Sequence, residues 1–386
     1  MPPAHGYSIT HPALLCIELA QSGSALIAVQ PRIGIIFTVF EAVPAAQQQD
    51  RRKLMPSRFV ARHAVAALAC LGALAIFPAA AQLESGTWMK VASLPQGRDE
   101  EQAVTIAGKI YLIGGAWDDV KDGKRDERYT DGFMTEFDPQ TGTFRERSHG
   151  PEGLTHQGVV VLNGKIYMVG GFAGGHHTLP SAGVYSFDPA TDKWQTLAPL
   201  PSPMGGISLA AVGGMIHVVG GRYMGEEGTL PVHLVYNPAS NSWRQASPLP
   251  TSRDHAGVFV VDGKIHLIGG RTGEATENSP VHEIYDSATD KWSSAAPMPT
   301  ARSSVAFAEY RGMLVLAGGE CKMGKTYDEV EAYDINADRW VKLPSLRGPR
   351  HGFAAAAVGD KLFLFGGSTR CGGGGKVADV LQLTFT

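Results

Sequence analysis

The stretch Lys109-Ile110-Tyr111-Leu112-Ile113-Gly114-Gly115 decides the fold, because it returns five more times. KIYMVGG ends at Gly171, MIHVVGG at Gly221, KIHLIGG at Gly270, MLVLAGG at Gly319 and KLFLFGG at Gly367. The first glycines of the pairs, Gly114, Gly170, Gly220, Gly269, Gly318 and Gly366, lie 56, 50, 49, 49 and 48 residues apart. Each run is a short apolar strand that stops at Gly-Gly. A repeat near 50 residues is the period of closed arrays of small sheets.

Working outward, every repeat reads as four strands. In the fourth, an apolar, β-rich run from His255 to Val261 is followed by Asp262-Gly263, a pair suited to a tight hairpin. Lys264 to Ile268 comes next, then Gly269-Gly270, a loop, Val281 to Tyr285, a polar turn and Lys291-Trp292. Asn163-Gly164 makes the corresponding first turn in the second repeat. The fourth strand carries a bulky aromatic in step: Trp88, Phe144, Trp194, Trp243, Trp292 and Trp340. These aromatics are read as packing between neighbouring sheets. The last repeat ends after its third strand, Val377 to Thr384, and its fourth is found at the other end of the array, around Thr87-Trp88-Met89-Lys90-Val91. That strand is expected to complete the last sheet and close the ring, since an open array would leave bare sheet edges.

The six Gly-Gly pairs, the Tyr or His two residues after the strand lysine, the Tyr-Asp and Phe-Asp pairs and the tryptophan steps resemble the Kelch repeat family. The resemblance covers about residues 82–386. It implies an all-β fold, a six-bladed Kelch β-propeller. It implies little about function, because one fold hosts many.

The chain has 386 residues, 44% apolar and 18% charged, with 47 glycines and a net charge of −3. Near-neutral charge gives no electrostatic reason to expect nucleic acid or anionic membrane as partners. From Arg58 the sequence reads RFVARH, then AVAALACLGALAIFP, then AAAQ. A basic segment, an apolar core and small residues before a cut form a signal peptide over 55–81, with cleavage between Ala81 and Gln82. Its apolar run is shorter than the roughly 20 residues a membrane span needs, so no integral anchor is expected. Residues 1–54 read as a disordered extension or a mis-called start, with Met55 as the alternative first residue. Arg51-Arg52-Lys53-Leu54 loosely matches a twin-arginine export motif. The mature protein is expected to be periplasmic or secreted, and monomeric.

In a four-stranded meander the loop after the second strand and the link from one repeat to the next leave by the same face. The links are rich in charge: Arg98-Asp99-Glu100, Leu154-Thr155-His156, Met204-Gly205, Arg253-Asp254-His255, Arg302-Ser303-Ser304 and Arg350-His351. The residue after each Gly-Gly adds Arg222, Arg271 and Glu320. Together these predict an Arg-rich ring at the channel mouth, with Arg98, His156, Arg222, Arg253, His255, Arg271, Arg302, Arg350 and His351 as ligand-binding candidates. Arginine offers a planar fork for a carboxylate. The competing reading is that these arginines staple adjacent blades. Cys321 and Cys371 are the cysteines left after export and start loops on one face of adjacent blades. An oxidising compartment then predicts a disulfide between them.

Weaker constellations are set aside. Gly174-Gly175-His176-His177 reads as a solvated loop, so no metal is expected there. Asp118 to Gly123 is a poor calcium loop because Val120 stands where oxygen is needed. The glycines after Cys371 lack the Gly-Lys-Ser/Thr of a phosphate loop. No catalytic triad or carboxylate pair is evident, and no cofactor is expected. The primary expectation is an exported binding module for a glycan, an anionic small molecule or a protein. The alternative is an enzyme: exported six-bladed Kelch chains resemble bacterial N-acetylneuraminate mutarotases, which act on a sugar acid. Glu320 is then the candidate acid/base. A copper radical oxidase is disfavoured, since the chain has no room for the further domain such enzymes carry.

Overall fold

The computed structural model describes residues 85–121, 124–129, 132–174, 177–223, 228–274, 276–321 and 323–385. The chain divides into two units, Met1–Gly72 and Ala73–Thr386, and all described residues belong to the second. The proposed extension and signal peptide lie outside the described residues. No helix among the described residues is long and apolar enough to cross a membrane.

Six antiparallel sheets follow one another along the chain. The fourth blade is typical, with strands Gly257–Val261, Lys264–Ile268, His282–Asp286 and Lys291–Ser294 paired in sequence order. The first blade adds a strand, Lys124–Tyr129, which folds back on a long second strand, Lys109–Lys121. The segment weighed as a calcium loop runs into this hairpin. The sixth blade takes Ala354–Val358, Lys361–Phe365 and Asp379–Thr384 from the C-terminus and Thr87–Ser93 from the N-terminus. Trp88 opposes Leu383 in that last pairing. The ring is therefore closed by the N-terminal strand, and the fold is an all-β, six-bladed propeller.

The glycine pairs make the seams. In all six pairs the second glycine donates its N–H to the carbonyl of the residue that opens the next link: Gly115 to Leu154, Gly171 to Met204, Gly221 to Arg253, Gly270 to Arg302, Gly319 to Arg350 and Gly367 to Arg98, at 2.8–3.1 Å. The last of these joins the sixth blade to the first. A Cβ on the first glycine would lie 2.4–2.8 Å from the same carbonyl. Both glycines also have positive φ, which other residues adopt only under strain. The Gly-Gly signature thus exists because two backbones touch at every blade boundary.

Outside the seam, the aromatic steps fix the rim. The indole N–H of Trp88, Trp194, Trp243, Trp292 and Trp340 donates to a carbonyl of the preceding blade, respectively Pro344, Ser148, Ala198, Ser247 and Ala296. Phe144 keeps the ring but has no N–H to give. Between these layers the apolar strand faces pack blade on blade, as where Leu314 and Leu316 meet Phe259 and Ile268.

Candidate functional site

Each link between blades places three residues in a fixed register, and the three have different jobs. The first points into its own blade. Arg302, fully buried, donates to the carbonyls of Gly318, Thr300 and Leu316 at 2.8, 2.9 and 3.1 Å and pairs with Glu331. Arg253 does the same with Thr251, Leu267 and Glu283. Arg350 bonds the carbonyls of Gly348 and Gly366 and approaches Asp379 at 3.7 Å. Arg98 reaches the Gly114 carbonyl and lies over the Phe133 ring. The expected ring of link arginines at the mouth is therefore corrected. Arg98, Arg253, Arg302 and Arg350 turn their forks into the sheet, where strand-end carbonyls need donors. They staple their own blades rather than adjacent ones.

The second link position carries Asp99, Thr155, Gly205, Asp254, Ser303 and His351, bridged in register to the residue after each Gly-Gly. The third carries Glu100, His156, Gly206, His255, Ser304 and Gly352, all with φ between 53° and 64° or close to it, Ser304 at 50°. Their backbones run around the channel axis as a belt. Glu100 N–H meets Gly352 O, Gly352 N–H meets Ser304 O, Ser304 N–H meets His255 O, His255 N–H meets Gly206 O and Gly206 N–H meets His156 O. The belt brings Glu100 and His156 to the floor of a recess of about 170 Å³ at the mouth, with His255 beside them, its Nε2 3.3 Å from Arg271 Nη2. Arg222, Arg271, Glu320, His351, Thr155 and Asp99 form its wall, with His177 reaching in from its loop. Of the residues expected from sequence, Arg222, Arg271, His156, His255, His351 and Glu320 are thus brought together.

The wall is a connected charge network. Arg271 donates through Nε to Asp254 at 2.9 Å and through Nη1 to Glu320 at 3.0 Å. Its Nη2 lies 3.3 Å from Nε2 of both His177 and His255. Arg222 Nη1 stands 3.5 Å from Asp254. Asp254 also accepts from Nδ1 of His255 at 2.7 Å. Burial would raise the Asp254 carboxyl, but His255, Arg271 and Arg222 outweigh it and hold it below the ordinary range. Glu320 is likewise held down, against its burial, by His351 and Arg271. Its other oxygen accepts the Gly372 N–H at 2.9 Å.

Histidines here are driven in opposite directions. His351 donates Nε2–H to the Arg370 carbonyl at 2.9 Å, so Nδ1 faces Glu100 at 3.6 Å and Glu320 at 3.9 Å. Burial disfavours its charge, yet these carboxylates prevail and raise it to about 9. It is an imidazolium at neutral pH. His156 is pushed down to about 4, chiefly by burial, although Glu100 lies 3.3 Å away. Glu100, whose burial alone would raise it, is held well below its usual value by His156 and His351. In the same wall, burial and Glu100 lift Asp99 to about 7.

Sequence reasoning left Glu100, Asp254 and His177 out of the site. Alignment of the link positions could have found the first two, since Glu100 shares its position with His156 and His255 and Asp254 shares its with His351. His177 gave no such signal, because it sits on a loop without a repeat equivalent. Cys321 and Cys371 are joined by a disulfide with Cα atoms 5.3 Å apart. It ties the residue after Glu320 to the residue before Gly372, the two partners of a hydrogen bond in the wall.

Comparison with known proteins agrees with this architecture. Residues 199–367 match the KLHDC2/KLHL20/DRC7 Kelch-repeats domain, and residues 154–201 match the Kelch motif. Kelch-like protein 35 of Mus musculus is 31% identical over 148 residues, 38% of this chain and 23% of that protein. Kelch-like protein terF of Aspergillus terreus is 32% identical over 151 residues, 36% of this chain and 32% of that protein. The chain therefore spans under a third of the length of these relatives. The solved structure of YjhT superposes with a TM-score of 0.63 at 16% identity, over 76% of this chain and 99% of that one, a likeness of fold. With six glycine-sealed blades and matches of this kind across its repeats, the chain belongs to the Kelch-repeat β-propeller family.

Proposed function

We propose that this Kelch propeller binds a small acidic, polyhydroxylated ligand, a sugar acid, in the recess at its channel mouth. The observation that carries the reading is the pair Arg222 and Arg271, set after Gly-Gly in consecutive blades and facing one recess with Glu100 and His156. Arg222 supplies a fork for a carboxylate, Arg271 adds its positive charge beside it, and the surrounding carboxylates and imidazoles supply partners for hydroxyls. A small ligand is favoured over a protein because these side chains are nearly buried at the bottom of a recess. Export to the periplasm or medium, a monomeric state and the absence of a membrane anchor remain part of the proposal. Calorimetric titration with N-acetylneuraminate and with its methyl ester tests it. The acid should bind and the ester, lacking the carboxylate, should bind at least tenfold more weakly. Equal affinities, or no heat with any sugar acid, would defeat the reading.

One observation favours a catalytic version. His351 is held protonated within 3.6 Å of Glu100, which is held ionised. A neighbouring acid and base with separated pKa values suit proton transfer. Mutarotation of a sugar acid requires removal of a proton from the anomeric hydroxyl and delivery of one to the ring oxygen. Glu100 would take the first and His351 would give the second, with Glu320 and the Arg370 carbonyl orienting His351. Glu320 has both oxygens engaged, so it is the positioning group here rather than the base. Faster anomer exchange by NMR, abolished in Glu100→Gln with binding retained, is the expected result; exchange at the uncatalysed rate would leave binding alone.

A further inference from the structure

We propose that His156, His177 and His255 form a binding site for a divalent transition-metal ion, with Asp254 and Thr155 as its orienting groups. This inference does not rest on the sugar-acid reading. The three rings come from three places: the second link, the loop after the second Gly-Gly and the fourth link. Their centroids lie 4.7, 5.0 and 5.2 Å apart, edge to face. One ligating nitrogen from each lies within 4.8 Å of the others. Nitrogens bound tetrahedrally at about 2.1 Å stand roughly 3.4 Å apart, so the rings must close by about an ångström.

One tautomer is set for ligation. Asp254 holds the Nδ1–H of His255 at 2.7 Å, and the Thr155 hydroxyl engages Nδ1 of His156 at 2.9 Å. The His255 ring therefore presents Nε2, while Nε2 of His156 lies 3.3 Å from Glu100, whose carboxylate would be exchanged for the metal. A carboxylate or hydroxyl behind the distal ring nitrogen is the arrangement that fixes metal-binding histidines and raises their basicity. Three imidazoles with a fourth position open to the recess suit zinc, copper, nickel or cobalt rather than the oxygen-seeking calcium or magnesium.

The lone pairs of His177 and His255 already converge on a cation, since Arg271 Nη2 lies 3.3 Å from each Nε2. A metal would take that place. Asp254 and Glu320 keep the other two nitrogens of Arg271, so the guanidinium need only turn its third away. Its charge opposes the metal, while the carboxylates of Asp254, Glu320 and Glu100 favour it. The site is therefore tuned by Arg271, and removing that charge should tighten it.

Cobalt(II) titration of the purified, chelator-treated protein tests the proposal, read by the visible absorption of tetrahedral cobalt and by displacement with zinc. Wild type should bind one equivalent. His177→Gln, on a loop where folding is not at stake, should weaken it at least tenfold, and Asp254→Asn about 10–100-fold. Arg271→Met should bind more tightly than wild type. Circular dichroism on each variant separates loss of metal from loss of fold. Absence of saturable binding in wild type overturns the proposal, even if Arg271→Met binds, because the guanidinium is then the native occupant. Unchanged affinity in His177→Gln overturns it as well.

Discussion

Replacing Arg302 by Met removes a guanidinium but spares most of the stem volume. Glu331 is left buried with Thr300 Oγ1 as its remaining side-chain partner, at 2.8 Å. The carbonyls of Gly318, Thr300 and Leu316 lose their charged donor. Breaking a buried pair from one side costs about 3–5 kcal/mol. Counting bonds gives the same scale, since three lost hydrogen bonds at about 1 kcal/mol each come to roughly 3 kcal/mol before the stranded carboxylate is included. A domain of some 300 residues unfolds with an entropy near 0.6 kcal/mol/K, so about 4 kcal/mol lowers Tm by roughly 6–7 °C. Arg222→Met is the comparison. Asp254 keeps Arg271 and His255, so the loss should be about 1 kcal/mol. Thermal and urea unfolding followed by tryptophan fluorescence measure both. An Arg302→Met protein melting within 1–2 °C of wild type would refute the stapling account.

Three other outcomes are expected. Deleting the N-terminal strand Thr87–Ser93 exposes an edge of the sixth blade and should destabilise the whole ring in one cooperative step, checked by calorimetry; an unchanged melting temperature would contradict ring closure. Replacing Cys321 and Cys371 by Ser opens a loop spanning 50 residues, which the chain-entropy model values at about 4 kcal/mol, and the loss should be read by urea unfolding beside mass spectrometry that finds no free thiol in the parent. Burial pushes His266 and His282 down to about 4, so the unfolded chain takes up protons first and each histidine withdraws roughly 3 kcal/mol between about pH 6.5 and 4, against the opposite trend of the raised Asp99; the raised His351 contributes below 6.5 and is lost as pH climbs through about 9. Wild type and a His266→Phe, His282→Phe double variant should therefore differ in the slope of stability from pH 4 to 7, and equal slopes would count against the buried pair His266–His282.

The architecture was legible because its determinants are local and repeated six times. Gly-Gly, the hairpin turns and the aromatic steps each answer one backbone requirement, and Trp88 in phase with Trp340 revealed where the missing strand lay. The site was legible only as an address. Sequence placed the charged links at one face, but neighbouring residues in a link point in opposite senses. Arg302 and Ser304 are two apart, and one dives into the sheet while the other meets Glu320 at 3.3 Å. Whether an arginine serves carbonyls or a ligand depends on a Glu such as Glu331 on the third strand, about 30 residues away. The convergence of His177 with His156 and His255 depends on a loop path that carries no repeat signal.

The measurement that tests the central claim most directly is calorimetric titration of N-acetylneuraminate into wild type, Arg222→Met and Arg302→Met, all well below their melting temperatures. A ligand held at the recess predicts binding that is lost or at least tenfold weaker in Arg222→Met and kept in Arg302→Met, whose fault is in stability alone. Wild-type affinity in Arg222→Met, or loss in Arg302→Met while that protein is fully folded, would contradict the account.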